Sequence, residues 1–231
     1  MAIYIAKPWY KKGGNPDDYF DPVTHIATES NFIKFLDCGV YDSKYIGYGV
    51  DLGTTGIWII EDVNHDSENT GQTNCYDLIS KDCFSPATTW SSNGRVYYRN
   101  SNVRNNLINS VLPNLNGPIY SRLMKIKYYS WDTWYDDDYI VAPSEHKEIA
   151  QYATTGFPSE GSGYINMVNN EHRIKKYNNK KVYWWTRSCN AVPSWSGTNS
   201  AFYCSDSGSL TSAATSNYNY KYYLVGIIRV Q

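Results

Sequence analysis

Two apolar blocks near the carboxyl end of the chain frame a long polar segment. The blocks read YWWTRS at residues 183–188 and YLVGIIRV at residues 223–230, and short runs of aromatic and β-branched residues of this kind are typical of strands. Residues 193–223 consist mainly of Ser, Thr, Asn, Tyr, Ala and Gly, with short strands expected at 200–206 and 218–223. A polar segment of this length, held between two strands, is typical of a display surface rather than of a linker.

Apolar runs upstream of this segment predict a hairpin and a helix. Residues 57–66 have the pattern of a buried strand followed by a polar turn, and residues 76–80 form a second strand that pairs with it. Ser101 is suited to cap an amphipathic helix, because apolar residues recur every four positions from 103 to 111. Pro113 is expected to stop this helix.

Residues 141–152 carry a second helix signal. Pro143 ends the preceding strand, and Ser144 has the side chain of a helix cap. Glu145 and Glu148 then fall in the first turn, where negative charge favours the helix dipole. The pattern therefore predicts a helix that begins after Ser144.

These elements predict an α+β domain over residues 57–231, with its display surface at 193–223. Short antiparallel strands beside two main helices, with long irregular segments, are typical of this class. The closing apolar block is expected to be a central strand. Residues 1–56 are interpreted as an irregular segment that packs on the main domain or attaches it to a partner, with one short helix capped by Ser30 and ending at Gly39.

The composition gives no electrostatic reason to expect nucleic acid or membrane as a partner. The chain has 231 residues, enough for one large or two small domains, and a formal net charge of -1. No apolar run approaches the length of a membrane span. Aromatic residues make up 16% of the chain, and 23 residues are Tyr. Because a buried Tyr hydroxyl needs a hydrogen-bond partner, many are expected near the surface, which favours a recognition function.

The cysteines favour free thiols over a disulfide framework or a zinc site. Their number is odd and no two have CxxC spacing; they are Cys38, Cys75, Cys83, Cys189 and Cys204. A protein made in a reducing cytoplasm would keep them reduced, although the pairs Cys75 with Cys83 and Cys189 with Cys204 stay open. The first 14 residues contain no apolar leader, so the protein is expected to stay in the cell or to leave without a signal, for example in a phage particle released by lysis.

The display segment has the composition of a binding surface. Tyr offers rigid contact area with two side-chain torsions, while Ser, Gly and Asn offer adaptable hydrogen bonds. The expected aromatic anchors are Trp195, Phe202, Tyr203, Tyr218, Tyr220, Tyr222 and Tyr223. The expected polar contacts are Asn199, Ser205, Asp206, Ser207, Thr211, Asn217 and Asn219. Because side chains alternate along a strand, one of Phe202 and Tyr203 should point inward. The alternative is a polar loop whose Tyr side chains pack along sheet edges.

Three charged clusters are interpreted as solvated surface. The acidic run lacks the spacing of a calcium loop, and the basic segment lacks the aromatic residues of a nucleic-acid platform. The clusters are the run Asp136, Asp137 and Asp138; the turn Asp62, Asn64, His65 and Asp66; and the basic residues Arg173, Lys175, Lys176, Lys180 and Lys181.

No catalytic pattern is recognisable in the sequence. The four histidines are far apart, and HExxH, GxSxG, P-loop and GxGxxG spacings are missing. Trp184, Trp185 and Arg187 are interpreted as scaffold, with one Trp facing the core and Arg187 bonded to backbone or a carboxylate. We therefore expect no metal, no cofactor and no enzymatic activity.

The ordered set IWIIEDVNHD, YDLIS, SNVRNNLIN, VAPSEHKEI, YWWTRS and GIIRV resembles a domain family of gut bacteria and their phages. That family is similar to the formylglycine-generating-enzyme branch of the C-type-lectin-like fold, and to the variable proteins of diversity-generating retroelements. The resemblance covers residues 57–231. In such proteins a reverse transcriptase rewrites adenine-templated codons near the 3′ end of the gene, and the Ser, Asn and Tyr residues of 193–223 fit the products of rewritten AAY codons.

The resemblance implies a receptor-binding protein on a phage tail or a bacterial cell surface. Its partners would be a protein or glycan receptor and other subunits of the tail or surface structure, and presentation in several copies, such as a homotrimer, would add avidity. Two alternatives stay open. One is a structural tail or surface component with a fixed interface. The other is an oxidoreductase of the formylglycine-generating type that uses Cys189 and Cys204.

Overall fold

The computed structural model describes residues 14–65, 71–91, 97–130, 133–145, 148–149, 164, 167, 169–189, 200–214 and 220–231. The helices of this part are α1 (Glu29–Asp37), α2 (Asn102–Asn106) and α3 (Asn170–Arg173). The strands, in chain order, are β1 (Ile26–Thr28), β2 (Gly49–Asp51), β3 (Ile57–Val63), β4 (Tyr76–Ser80), β5 (Phe84–Thr88), β6 (Leu123–Met124), β7 (Ile126–Ser130), β8 (Thr133–Asp138), β9 (Ile140–Val141), β10 (Lys175–Tyr177), β11 (Lys180–Val182), β12 (Trp184–Cys189), β13 (Ser200–Cys204), β14 (Leu210–Ala214), β15 (Tyr222–Leu224) and β16 (Ile227–Val230). The fold is therefore α+β, as the sequence predicts.

A seven-stranded sheet forms the larger layer. Its strand order is β1-β2-β3-β4-β16-β6, and β9 also pairs with β16. The predicted hairpin of β3 and β4 is confirmed. The closing apolar block was expected to be one central strand, but only its second half is: β16 is buried along its whole length between β4 and β6, whereas residues 223–224 belong to β15 in the other sheet. Trp58, Leu78 and Ile228 are among the fully buried side chains that these strands contribute to the core.

The segment expected to be irregular adds regular structure to this sheet. Strands β1 and β2 extend it beyond β3, and α1 buries Phe32 and Phe35. The cap of α1 is Thr28 rather than Ser30, because the Thr28 hydroxyl accepts from the Asn31 backbone N–H at 3.3 Å. The prediction failed here because both residues are good caps, and pairing in β1 keeps Thr28 extended.

The helical run after residue 101 begins where it was predicted. The Ser101 hydroxyl accepts from the Arg104 backbone N–H at 3.1 Å and caps α2. A π turn (Leu107–Val111) and a 3-10 turn (Leu112–Asn114) continue the run, so Pro113 lies inside its last turn. The apolar spacing read from the sequence corresponds to the buried face of the run.

The second predicted helix is wrong in the residues that the structure describes. Residues 144–145 and 148–149 are turn or irregular rather than helical, while 146–147 and 150–152 lie outside the described part. Glu148 does not sit on a first helical turn. Its carboxylate instead accepts hydrogen bonds from the Arg187 guanidinium and from the Ser144 backbone N–H, the latter at 2.7 Å. Long-range ion pairing decides this segment in place of the local cap signal.

A five-stranded sheet of order β14-β13-β12-β15-β5 forms the second layer. Both Trp184 and Trp185 of β12 are buried, so the expectation of a single inward Trp is wrong. The indole of Trp184 donates to the Arg173 carbonyl at 3.0 Å on one face, and that of Trp185 donates to the Thr88 carbonyl at 2.8 Å on the other. Both faces of this strand are covered by side chains of the described chain.

Candidate ligand-binding surface

Strand pairing places several display residues on one face of the five-stranded sheet. Trp185 lies opposite Tyr203, and Tyr203 lies opposite Thr211 on the next strand. On the other side of β12, Trp184 pairs with Tyr223, so the neighbouring Tyr222 shares the face of Trp185. This face therefore carries aromatic and hydroxyl groups from four adjacent strands.

Four tyrosines gather on this face in what we call the tyrosine cluster: Tyr183, Tyr203, Tyr220 and Tyr222. The ring of Tyr222 lies 4.5 Å from that of Tyr203, 5.4 Å from that of Tyr183 and 6.0 Å from that of Tyr220, centroid to centroid. These separations lie in the range of favourable aromatic pairs. Tyr183 is 39% exposed and Tyr220 is 41% exposed, so the cluster presents ring area to solvent.

Trp185 forms the floor of the tyrosine cluster. Its ring centroid lies 4.6 Å from that of Tyr222, 6.0 Å from that of Tyr203 and 5.6 Å from that of Trp90. Its side chain is 1% exposed and its indole N–H is bonded to a strand carbonyl. The half-exposed rings thus rest on an immobilised base, which reduces the entropy that binding would cost.

The environment of two cluster tyrosines, Tyr183 and Tyr222, raises their pKa and so favours the neutral hydroxyl. The negative charge of Asp206 raises the pKa of Tyr183, and partial burial and a hydrogen bond to the Asp206 carboxylate add to the rise. Burial raises the pKa of Tyr222 well above its ordinary value, and the electrostatic interaction and hydrogen bond with the neighbouring Tyr203 hydroxyl add to the rise. The surface therefore offers hydroxyls beside one exposed carboxylate.

A tight turn at 205–209 supports the exposed Asp206 and Ser207. The Ser205 hydroxyl accepts from the Ser209 backbone N–H at 3.1 Å, and the Gly208 N–H donates to the Ser205 carbonyl at 3.0 Å. Ser205, one of the expected polar contacts, is buried rather than exposed to a ligand. Its side chain instead holds the turn that presents its neighbours.

Arg173 anchors this turn from the other side. Its guanidinium donates to the carbonyls of Gly208 at 2.8 Å, Ile149 at 2.7 Å and Met167 at 3.2 Å. Arg173 and Lys175 are buried, which corrects the interpretation of the whole basic segment as a solvated face. The exposed part of that segment consists of Lys176, Lys180 and Lys181.

The structure separates the predicted contact residues into two faces. Tyr203, Tyr220 and Tyr222 belong to the tyrosine cluster, whereas Tyr223 stacks on Tyr177 at 4.8 Å on the opposite face. Phe202 is half-buried on the face opposite Tyr203, as strand alternation requires. Five predicted contacts lie outside the described residues: Trp195, Asn199, Asn217, Tyr218 and Asn219.

Tyr183 is a member of the cluster that the sequence analysis did not select. Tyr183 immediately precedes β12 and lies two residues before Trp185, so both side chains point to the same face. Its carbonyl accepts a hydrogen bond from the Tyr223 backbone N–H at 2.9 Å. The alternation within YWW, with residues 183 and 185 on one face, is the signal that could have found it.

Two clusters interpreted as solvated acidic turns are partly buried ion-pair networks. Asp138 is buried in β8 and accepts two bonds from Arg104, each of 2.7 Å, while Asp137 pairs with Arg99. His65 is 2% exposed, with Nδ1 lying 2.8 Å from Asp62 Oδ2. These partners come from distant positions in the chain or face inward, so charge content alone did not reveal them.

The charge state of His65 argues against a role as a base. Burial lowers its pKa, but hydrogen bonding to Asp62 and Glu148 and the charge of Asp77 raise it more strongly, to about 10. Its Nε2 lies 3.7 Å from Glu148 Oε1, and Glu148 is held in turn by Arg187, which confirms the predicted carboxylate partner of that arginine. A protonated, buried imidazole between carboxylates serves packing rather than proton abstraction.

All five cysteines are free and buried, which confirms the preferred interpretation. Cys204 lies opposite Trp184 and Cys189 lies opposite Ala201, with a register shift between them, so the two residues are five positions apart along β12 and three along β13, which separates their backbones by roughly 10–16 Å. Burial raises the pKa of Cys204 to about 12, which suppresses the reactive thiolate. The structure therefore does not bring Cys189 and Cys204 together as a reactive pair.

The fold and the surface together define an α+β protein with a tyrosine-rich face. Comparison of the chain with protein-family models, curated proteins and solved structures finds no match. In the described part of the chain no helix is long and apolar enough to cross a membrane. Among these residues no group of three His, Cys, Asp or Glu side chains could hold a metal ion.

Proposed function

We propose that this protein binds a receptor on a cell surface through the tyrosine cluster and the adjoining Asp206 and Thr211. The observation that carries the proposal is the set of half-exposed tyrosine rings on the buried floor of Trp185. Tyr is enriched at binding hot spots, because a ring of large area becomes ordered at low entropic cost.

The surroundings of the cluster favour a binding site over the alternative, in which the tyrosine side chains only pack along the edges of the sheet. Asp206 and Thr211 place a carboxylate and a hydroxyl beside the rings. A partner can therefore be recognised through directional hydrogen bonds as well as through apolar contact area. The turn at 205–209 is fixed by Arg173, so these groups are presented in one geometry. A preorganised surface loses less affinity to ordering when it binds.

The proposed architecture is a C-type-lectin-like domain whose surface is diversified by a retroelement. The order of the six motifs supports this, as does the position of the display residues between β12 and β16. In such a protein the buried Trp184 and Trp185 would be constant, whereas the exposed residues of 193–223 would vary. The protein would act as a binder without catalysis, on a phage tail or a bacterial cell surface.

Binding is tested with the fluorescently labelled intact protein on a panel of gut bacterial strains. We expect Tyr220→Ala and Tyr183→Ala each to weaken binding to a recognised strain by at least tenfold, as for a hot spot worth about 2 kcal/mol. Tyr120→Ala is the matched control, because Tyr120 is 50% exposed and lies outside the cluster. Equal binding by all three variants and the parent protein would sink the assignment of the cluster as the binding surface.

Diversification is tested by deep sequencing of the 3′ end of the gene and its flanks in a growing population. Substitutions confined to codons 193–223, together with an adenine-rich template copy nearby, are the expected result. An invariant segment without a template copy would refute the retroelement and leave a fixed binding or structural surface.

A further inference from the structure

A cavity of about 340 Å³ lies apart from the tyrosine cluster. It opens where the 3-10 turn before β3, the turn into β5 and the end of the helical run meet, and Tyr177 closes one side. Tyr177 stacks on Tyr223, which points away from the face that carries Tyr222. The cavity is therefore on the opposite side of the five-stranded sheet from the tyrosine cluster.

The walls of the cavity are held by hydrogen bonds and ring contacts. The indole N–H of Trp58 donates to the Thr55 hydroxyl at 3.1 Å, and that hydroxyl donates to the Leu52 carbonyl at 3.2 Å. The Cys83 backbone N–H donates to the Lys176 carbonyl at 2.8 Å. These bonds tie the segment of Thr55 to the core and the segment of Cys83 to the strand that carries Tyr177, so these walls are in place before any ligand arrives.

The lining combines hydrogen-bonding groups with two aromatic rings. Asp82 supplies a carboxylate that only accepts, whereas the Ser110 hydroxyl and the Asn114 amide can donate and accept. Asn114 Nδ2 donates to the Ser110 carbonyl at 2.6 Å, and among the described residues no donor reaches its Oδ1. Phe84 and Tyr177 add apolar ring faces, and Phe84 is itself supported by the indole of Trp58 at 5.7 Å.

This chemistry narrows the class of ligand. Among the described residues that line the cavity there is no Lys, Arg or His, so Asp82 would repel a phosphate or a carboxylate. A purely apolar ligand would strip water from the polar groups without replacing their hydrogen bonds. The volume of about 340 Å³ is near the lower end of the ~300–1,000 Å³ of small-molecule sites, which suits one ring rather than a chain of rings.

We propose that this cavity binds the single ring of a neutral sugar. The hydroxyl groups of the sugar would donate to Asp82 and exchange hydrogen bonds with Asn114, while its C–H face would lie against Phe84. A sugar ring requires both a polar edge and an apolar face, and the lining supplies carboxylate, amide and hydroxyl groups together with two aromatic rings.

The test is calorimetric titration of the intact protein with neutral monosaccharides: glucose, galactose, mannose and N-acetylglucosamine. Glucose 6-phosphate serves as the charged comparison. We expect at least one neutral sugar to bind with millimolar affinity, the phosphorylated sugar to show no binding, and Asp82→Asn and Asn114→Ala each to weaken binding at least tenfold. Both side chains are exposed, so the variants should keep the parent unfolding temperature. Asp136→Asn, at an exposed carboxylate of β8 outside the cavity, should bind like the parent protein.

Three results would overturn the proposal. One is that none of the neutral sugars binds. Another is that Asp82→Asn and Asn114→Ala bind the sugar as the parent protein does. The third is that Tyr220→Ala abolishes sugar binding, which would place the sugar on the tyrosine cluster instead. The cavity and the cluster use different residues, so failure here leaves the proposed receptor-binding function untouched.

Discussion

Replacing Gly208 with alanine is expected to destabilise the protein by about 2.5–5 kcal/mol, in two parts. Gly208 has φ +83, and an L-residue in the left-handed region costs about 1–2 kcal/mol. A Cβ at this position would lie 1.8 Å from the Asn170 carbonyl oxygen, so the turn would have to move. That movement would break the bond from Arg173 to the Gly208 carbonyl, a charge-assisted bond worth about 1.5–3 kcal/mol.

The free energy of unfolding, measured by urea denaturation, tests this prediction. The matched control is Gly39→Ala, because Gly39 has φ +62 but no atom lies within 4 Å of the point that an alanine Cβ would occupy, so only the backbone cost of about 1–2 kcal/mol applies. The difference between the two variants isolates the clash and the lost Arg173 bond. If Gly208→Ala lowered the free energy of unfolding no more than Gly39→Ala does, the argument that α3 holds the turn at 205–209 would be refuted.

Two further predictions concern the buried ion pairs. Arg187→Met should lower the free energy of unfolding by about 3–5 kcal/mol, because it leaves the Glu148 carboxylate buried without its main partner. The control is Arg122→Met, which removes a partly exposed pair with Asp37 and should cost less than about 1 kcal/mol in the same urea assay. Similar losses in the two variants would contradict the estimate for Arg187. His65 has a folded pKa of about 10 against an ordinary value of 6.5, so its stabilisation is complete below pH 6.5 and is lost as the pH rises toward 10. The fall in unfolding free energy between these pH values should be smaller in His65→Gln, and equal falls in both proteins would show that His65 is not protonated in the folded state.

Local patterns in the sequence predict much of the scaffold. The β3–β4 hairpin, the Ser101 cap and the closing strand β16 depend on apolar runs and capping chemistry within a few residues. The YWWTRS block is a strand for the same reason. These elements were predictable because the information that specifies them is short-range.

The features that local patterns missed depend on partners far along the chain. Glu148 has the sequence context of a helical first turn, but Arg187, 39 residues away, draws its carboxylate inward. Asp138 has the sequence context of a solvated residue, yet Arg104, 34 residues away, makes it a buried ion pair. Alternation alone places Tyr183 on the face of Trp185, but only the pairing of β12 with β13 and β15 brings Tyr203 and Tyr222 to that face. Composition can indicate that tyrosines are available for recognition, but only tertiary pairing decides which face each one occupies.

The alternation of Tyr222 and Tyr223 limits how the display segment can evolve. The first side chain belongs to the tyrosine cluster, the proposed binding face, and the second packs on Tyr177, so under that proposal the two neighbours would experience different selection. A substitution at an exposed position leaves this assignment intact. An insertion or deletion of one codon that shifted β15 by one residue would exchange the two side chains and spoil both faces at once. Sequence variation on this surface can therefore accumulate through substitutions that keep the length of the segment, whereas an insertion or deletion near β15 would be removed by selection.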